Sequence, residues 1–238
     1  MNNKYLVLSV ALLAIGIALA GYFVSKTLYN AKVSINTAQV MGLAERRVTS
    51  DLARWNIKVN VVGKSADAVP SLYEKIEKDR QSVKDVLLQN GFSEDEITVS
   101  AVHYTKQENR NKDKQIVDEV HTLFSTLEVE TKEIEKVASA RSKVGKLITQ
   151  GVTFRDYGVR YSFNGLNTIK PDMLKEATQN ARIAADEFAK NAGTKVGHIR
   201  NAVQGRFTIT DAGQQYGDSA KIEKDIRVIN TIEFYLTD

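Results

Sequence analysis

The chain has no cysteine at all, and its 238 residues include only 2 prolines and 3 histidines. Without cysteine there can be no disulfide, no thiolate metal ligand and no thiol nucleophile. This absence is compatible with an oxidising compartment but does not demonstrate one. His103, His121 and His198 lie far apart in sequence and show no HxxxH or HxH spacing. A metal site would need carboxylates brought to a histidine by the fold, so we expect neither a metal nor a cofactor.

Motifs of common catalytic and nucleic-acid-binding sites are missing as well. The chain contains no GxSxG, P-loop or GxGxxG sequence, so nucleophile-elbow and phosphate-cradle chemistry have no support. Its net charge of +4 and pI of about 9.0 come from 33 basic and 29 acidic residues that are intermixed along the chain. Nucleic-acid binding usually requires a clustered basic face, so we expect no nucleic-acid partner.

One long apolar run stands near the N-terminus, Tyr5–Val24, with the sequence YLVLSVALLAIGIALAGYFV. At 1.5 Å rise per residue it spans roughly 30 Å, the thickness of a bilayer's hydrocarbon core. The small residues around Ala18–Ala20 also resemble a signal-peptide cleavage site. We favour a retained anchor, because the apolar run continues past that site and Tyr5, Tyr22 and Tyr29 stand at interfacial positions.

This segment predicts the organisation of the whole chain. We expect a membrane anchor at residues 1–24, a stalk at residues 25–37 and a folded domain at residues 38–238. An N-terminal anchor usually leaves its short tail in the cytoplasm and exports the remainder of the chain. The predicted location is therefore a single pass through the inner membrane, with lipid around the helix and the domain in the periplasm.

The remainder predicts an α+β domain in the order β-β-α-β-β-α-β-α-β-β. In the second strand Trp55, Ile57, Val59 and Val61 alternate with more polar residues, as in a half-buried strand. Ile97–Lys106 is predicted to be one strand, with His103 a candidate for its inward face. The interpretation is a mixed or antiparallel sheet with about three helices packed on one face. Exposed sheet edges would favour self-association.

The helix with the clearest start and stop signals is predicted at Pro171–Ala192, beginning at a proline and stopping before Gly193. Its apolar stripe consists mostly of alanine, so the helix can approach its partner closely. The predicted stripe comprises Met173, Ala177, Ala181, Ala184, Phe188 and Ala192.

A dense charged group stands at the first predicted turn: Glu45, Arg46, Arg47 and Asp51. These residues could form an ion-pair or interaction site, although a solvated hairpin edge is the simpler interpretation. Trp55 could present an aromatic side chain to a partner, whereas a core tryptophan explains it without any function.

Three stretches resemble the SIMPL-domain family: VMGLAERRVTSDLARWNIKV at Val40–Val59, LLQNGFSEDEITV at Leu87–Val99, and the Ala-rich Glu176–Ile199. The resemblance covers nearly all of Thr37–Leu236. It implies an α+β domain of the cell envelope, with loose links to envelope stress and, in at least one branch, assembly into hollow rings. The family has no agreed catalytic residues, so none is transferred to this chain.

These observations leave three functional hypotheses. The first is a non-enzymatic, membrane-tethered domain that self-assembles into an oligomeric scaffold, ring or channel-like shell. The second is a periplasmic module that binds a small molecule or partner protein in the crevice between helix and sheet. The third is an enzyme using Glu45, Asp51 or a histidine as general base, which we rank last.

Overall fold

A computed structural model describes residues 3–33 and 36–237, with side chains described for residues 7–28 and 36–237. Helix α1 spans Asn3–Val33, and its apolar part Val7–Leu28 has a mean hydropathy of 2.4 with none of its surface buried. The segment is long and apolar enough to be a membrane span or a signal sequence. The helix does not end where the stalk was predicted to begin, because it continues to Val33.

The chain divides into two units. The first comprises Met1–Glu45, Pro171–Phe207 and Arg227–Asp238; the second comprises Arg46–Lys170 and Thr208–Ile226. The α+β class and the predicted order of elements are confirmed, but the strands belong to two sheets where one was predicted.

The second unit contains a five-stranded antiparallel sheet with the order β3-β5-β2-β6, in which β4 also pairs with β5. Its strands are β2 (Leu52–Gly63), β3 (Ile97–Val99), β4 (His103–Arg110), β5 (Ile116–Thr131) and β6 (Phe154–Ser162). Helix α2 (Val69–Gln89) connects β2 to β3, and helix α3 (Glu135–Lys146) connects β5 to β6. Two strand–helix–strand units interleaved in this way form the ferredoxin-like split βαβ arrangement.

Alternation of side chains builds the core of this unit. Trp55, Ile57 and Val59 on β2 are almost wholly buried and pack with apolar residues of α2, α3 and β5. Helix α2 ends at Gln89, and Gly91 just after it has a φ of +85°, the left-handed conformation that glycine tolerates best. The N–H of Phe92 then donates to the carbonyl of Leu87, the Schellman pattern expected from the sequence.

One predicted strand of this unit is interrupted. Ile97–Lys106 forms two strands, because β3 ends at Val99 and β4 begins at His103. At the break the Ser100 hydroxyl accepts a hydrogen bond from the N–H of Thr126 on β5. His103, a candidate for the inward face, instead lies exposed on β4.

A four-stranded sheet, carried mainly by the first unit, has the order β1-β9-β7 with β8 also paired to β9. Its strands are β1 (Thr37–Thr49), β7 (Lys195–Gln204), β8 (Thr208–Asp211) and β9 (Glu223–Thr237). Helix α4 spans Leu166–Asn191, so it begins before the predicted start and Pro171 lies inside it.

Close approach of backbones decides which face of α4 is buried. Its buried residues recur at every fourth position: Met173, Ala177, Ala181, Ala185 and Ala189. A Cβ added to Gly42 on β1 would lie only 1.8 Å from the Ala177 carbonyl oxygen, so helix and strand touch without side chains between them. There is no room there for a bulky residue, and Phe188, predicted inward, is 55% exposed.

Candidate functional site

The charged residues predicted near the first turn lie on or after β1 and make separate contacts. The Arg47 guanidinium donates to both carboxylate oxygens of Asp225, at 2.8 and 3.0 Å. This pair, helped by the N–H of Gly213, lowers the pKa of Asp225 to about 2. Glu45 faces Arg227, with 3.3 Å between oxygen and nitrogen, and Arg46 is half-buried.

Asp51 has a structural role at the start of α4. Its carboxylate accepts the backbone N–H groups of Asn164 at 2.9 and 3.0 Å and of Gly165 at 2.9 Å. An anion just before a helix satisfies unpaired N–H donors and interacts favourably with the helix dipole. This contact explains why α4 can begin before Pro171.

Trp55 belongs to the core, with 1% of its surface exposed. Its indole N–H donates to Asp156 at 2.9 Å, and Asp156 also accepts from Arg141. Burial alone would raise the pKa of Asp156, but hydrogen bonds from Arg141, Trp55 and the Gly158 N–H lower it overall. Glu45, Arg47, Asp51 and Trp55 each contact a different partner, and the interaction role of the five predicted residues stays a prediction.

The histidines do not converge either. His103 stacks on Phe124 with ring centroids 5.2 Å apart, and His198 is exposed on β7. His121 is buried, with Nδ1 2.8 Å from the Tyr104 hydroxyl and Nε2 3.3 Å from Glu119. In the part of the chain that the structure describes, no three His, Asp or Glu residues are placed to hold a metal ion.

Strand β7 is an open edge. It stands last in the order β1-β9-β7, and most of its residues are exposed, including Ile199 at 50% and Val203 at 56%. Arg182 on α4 donates to the carbonyls of Val196 and Gly197, both at 3.1 Å, so this side chain caps the start of the strand. An edge of this kind offers backbone N–H and C=O groups to another strand.

A groove of about 270 Å³ lies beside this edge, between α4, β7 and β9. Apolar side chains form most of its walls, and its lining includes Leu174, Thr178, Ile199, Val203, Asn230 and Ile232. Asn230 is only 6% exposed, and its Nδ2 donates to the Thr178 hydroxyl at 3.2 Å. Within the described residues, its Oδ1 is buried and has no hydrogen-bond partner.

The Asn230 amide orientation follows from its neighbours. The Thr178 hydroxyl donates its own hydrogen to the Leu174 carbonyl at 2.8 Å, so it can only accept from Asn230. Rotating the amide by half a turn would place Oδ1 against two acceptors, the Thr178 hydroxyl and the Leu174 carbonyl. The unpaired atom is therefore an acceptor, which costs about 1–3 kcal/mol when buried without a donor.

A buried ion pair organises the segment between β8 and β9. Lys224 Nζ lies 2.6 Å from Asp211 and 2.7 Å from the Asp218 carbonyl, and the two charged side chains are 0% and 2% exposed. Asp211 also accepts the N–H groups of Ala220 and Lys221. Burial alone would raise the pKa of Asp211, but these hydrogen bonds lower it overall.

Asn230 and Lys224 were both missed by sequence reasoning, although β9 contained the signal. Its buried positions alternate with a period of two: Lys224, Ile226, Val228, Asn230, Ile232 and Phe234. A polar residue in the inward register of an alternating strand indicates a buried polar contact. Both residues occupy that register.

The second unit also carries a polar cleft of about 500 Å³ on its five-stranded sheet. Residues of β2, β5 and β6 form its floor, and Asp218 and Ser219 contribute a wall.

The family model "SIMPL: Protein of unknown function (DUF541)" matches residues 38–226, which is most of the chain. The chain belongs to the SIMPL family. No curated protein matches this SIMPL chain, and the description of the family assigns no activity to it. Two of the stretches that carried the resemblance meet in the fold at Gly42 and Ala177, so these SIMPL motifs encode helix–strand packing.

Proposed function

We propose that this SIMPL protein is a non-enzymatic, membrane-tethered domain of the cell envelope that self-assembles through the edge strand β7. The open edge of β7 carries the proposal. Its ten residues, Lys195–Gln204, end the sheet with exposed apolar side chains on both faces. Proteins usually protect such edges with charges, prolines, bulges or covering segments; β7 has register shifts near Ile199 and the Arg200–Glu233 pair, but Ile199 and Val203 stay exposed.

The membrane helix strengthens this proposal. An anchored protein is confined to a surface, which raises the effective concentration of its copies and favours weak edge-to-edge pairing. Antiparallel or parallel addition of a strand satisfies backbone groups directly and gives ring-like or filamentous assemblies, depending on closure.

The oligomeric state of the full-length protein tests the proposal. We expect light scattering and native mass spectrometry in detergent to show multimers for the wild type. Ile199→Lys combined with Val203→Lys places two charges on the edge and should shift the protein toward monomers. Ile183→Lys, on a 61%-exposed position of α4, is the matched control and should leave the assembly intact. A monomeric wild type would refute the proposal.

We also place the folded domain on the extracytoplasmic side of the inner membrane. The support is the apolar helix at the N-terminus, Val7–Leu28, since such a helix usually exports the chain that comes after it. Alkaline phosphatase fused to the C-terminus should be active, and a fluorescent protein that requires the cytoplasm should not fluoresce there. The reverse pattern would contradict this orientation.

A second candidate function is binding of a small ligand in the crevice between α4 and the sheet. Its support is the unpaired Asn230 Oδ1 beside a largely apolar groove. Such a groove suits an apolar molecule with one hydrogen-bond donor, because the donor would satisfy the buried acceptor. A modest side-chain movement would be needed to reach the shielded oxygen.

Two isosteric probes separate this function from simple hydrophobic contact. N-butylacetamide carries an N–H group, whereas butyl acetate does not. We expect only the amide to raise the melting temperature of the wild type, and neither to affect Asn230→Leu. Equal shifts by both probes, or the same shift in the variant, would refute a role for Asn230 in binding.

A further inference from the structure

The polar cleft of the second unit has an unusual arrangement of charges, which follows from the register of its strands. Arg54 on β2 stands directly opposite Arg160 on β6 and opposite Glu130 on β5. Like charges directly opposite each other on neighbouring strands repel. Arg54 forms an ion pair with Glu130, with 2.6 Å between Nε and Oε2, so it already has a counterion.

Arg160 has no such partner among the described residues. It is exposed in the cleft, and no carboxylate oxygen of the described side chains lies within 4.0 Å of its guanidinium. Two acidic side chains in the same cleft, Glu128 and Asp218, likewise form no ion pair within that distance among the described residues. Glu128 still lies close enough to Arg54 to interact with it electrostatically, so Arg160 and Asp218 are the charges of this cleft with the least neutralisation among the described residues.

Neutral donors and acceptors surround these charges. Asn56 stands opposite Glu128 across β2 and β5, one row along the sheet from the arginines. The hydroxyls of Ser162 and Ser219 also line the cleft and make no side-chain hydrogen bond within the described part of the chain. A ligand would thus meet polar groups from three strands and a connecting segment.

The connecting segment is held in place before any ligand arrives. The N–H of Tyr161 donates to the Ser219 carbonyl at 2.9 Å, which ties the segment to β6. On its other side the buried Lys224 holds the Asp218 carbonyl at 2.7 Å. A wall fixed from both sides loses little conformational freedom on binding, which favours affinity.

We propose that this cleft binds a small zwitterion carrying one carboxylate and one ammonium group, such as a short peptide. The carboxylate meets Arg160, and the ammonium meets Asp218 or Glu128. A polyanion is disfavoured because those two acids face it, and a neutral sugar would desolvate three charges without pairing them. The volume of about 500 Å³ lies in the range of small-molecule sites.

Calorimetric titration of the full-length protein in detergent with dialanine tests the proposal. We expect saturable binding that is lost when either end is capped, as in N-acetyl-dialanine or dialanine methylamide. Arg160→Gln should weaken dialanine binding about tenfold or more, the usual contribution of a charge-assisted hydrogen bond. Arg155→Gln, on the same strand beside Tyr157, should leave the affinity unchanged.

Three results would overturn the proposal: no heat of binding with millimolar dialanine, equal binding of either capped peptide, or tighter binding of inorganic phosphate. Circular dichroism of each variant establishes that the fold is intact. Because the exposed Arg160 makes no ion pair among the described residues, its replacement should not unfold the protein. These results do not depend on oligomeric state, so they test ligand binding in the cleft independently of the proposed self-assembly through β7.

Discussion

Removing the buried ammonium of Lys224 is the perturbation with the most definite outcome. Lys224→Met keeps a long unbranched side chain of similar volume but deletes the charge. The change leaves the Asp211 carboxylate, 2% exposed, with two backbone N–H donors and no counterion. It also leaves the Asp218 carbonyl without its donor.

The expected loss follows from the burial of both charges. Breaking a buried ion pair by removing one member costs about 3–5 kcal/mol, because the remaining charge is uncompensated. The two N–H donors still stabilise the Asp211 carboxylate, so we expect the free energy of unfolding to fall by about 3 kcal/mol, the lower end of this range. In urea unfolding this corresponds to a midpoint roughly 1 M or more below the wild type.

The effect should depend on pH with a predictable sign. In the wild type the pKa of Asp211 is lowered below 3.8, so its contribution is present above that pH and is lost as pH falls. Without Lys224, burial dominates and raises the pKa of this carboxyl above its ordinary value. The folded variant then binds a proton more readily, and its deficit should be smaller at pH 5 than at pH 7.

Urea unfolding at both pH values, followed by far-ultraviolet circular dichroism, measures the deficit. The matched control is Lys221→Met, because Lys221 is exposed in the same segment and its ammonium donates to the Ala212 carbonyl, while its backbone N–H to Asp211 is kept. We expect the control to lie within about 1 kcal/mol of the wild type. A Lys224→Met deficit no larger than the control's, or one that does not change with pH, would refute the reasoning.

Three further predictions, the first with a control variant, concern other contacts. Gly42→Ala should lower stability by about 1–3 kcal/mol, because its Cβ meets backbone atoms, whereas Gly145→Ala on an open helix surface should raise stability slightly; melting curves distinguish them. The pKa of Asp225 lies at about 2, so the wild type loses the stability of the Arg47 pair as pH falls from 3.8 through that value. Asp225→Asn has no such carboxylate, so its free energy of unfolding should fall less steeply over this pH range. Urea midpoints between pH 4 and pH 2 measure this, and an unchanged slope would contradict it. Asn230→Leu should unfold within about 1 kcal/mol of the wild type, because the unpaired acceptor disappears with the lost hydrogen bond; a larger chemical-denaturation deficit would indicate that its oxygen has a donor.

Much of the local structure could be predicted from residues close together in sequence. The alternation of Trp55, Ile57 and Val59 predicted β2, and the Asn90-Gly91-Phe92 stop of α2 was confirmed. The face of α4 was predicted less well, because Phe188 is more apolar than alanine yet lies outside the close contact with Gly42. Apolarity favours burial, but the space at the contact decides which side chain fits.

The candidate sites were much harder to predict. The cleft joins Arg54, Arg160 and Asp218, which are distant in sequence and meet only through strand register and a pinned connecting segment. Conversely, the charged residues Glu45, Arg47 and Asp51 are close in sequence, but their side chains contact different partners. Neighbouring residues on a strand point to opposite faces, so proximity along the chain does not bring side chains together.

The sequence by itself determined the apolar N-terminal helix, the family and the order of strands and helices. Each depends on local pattern, namely the length of an apolar run, its period and its capping residues. Only the tertiary structure decided that there are two sheets, that β7 is an open edge and that Lys224 and Asn230 are buried. Those outcomes depend on pairing between distant strands and on the volume available at each contact, which no local pattern specifies.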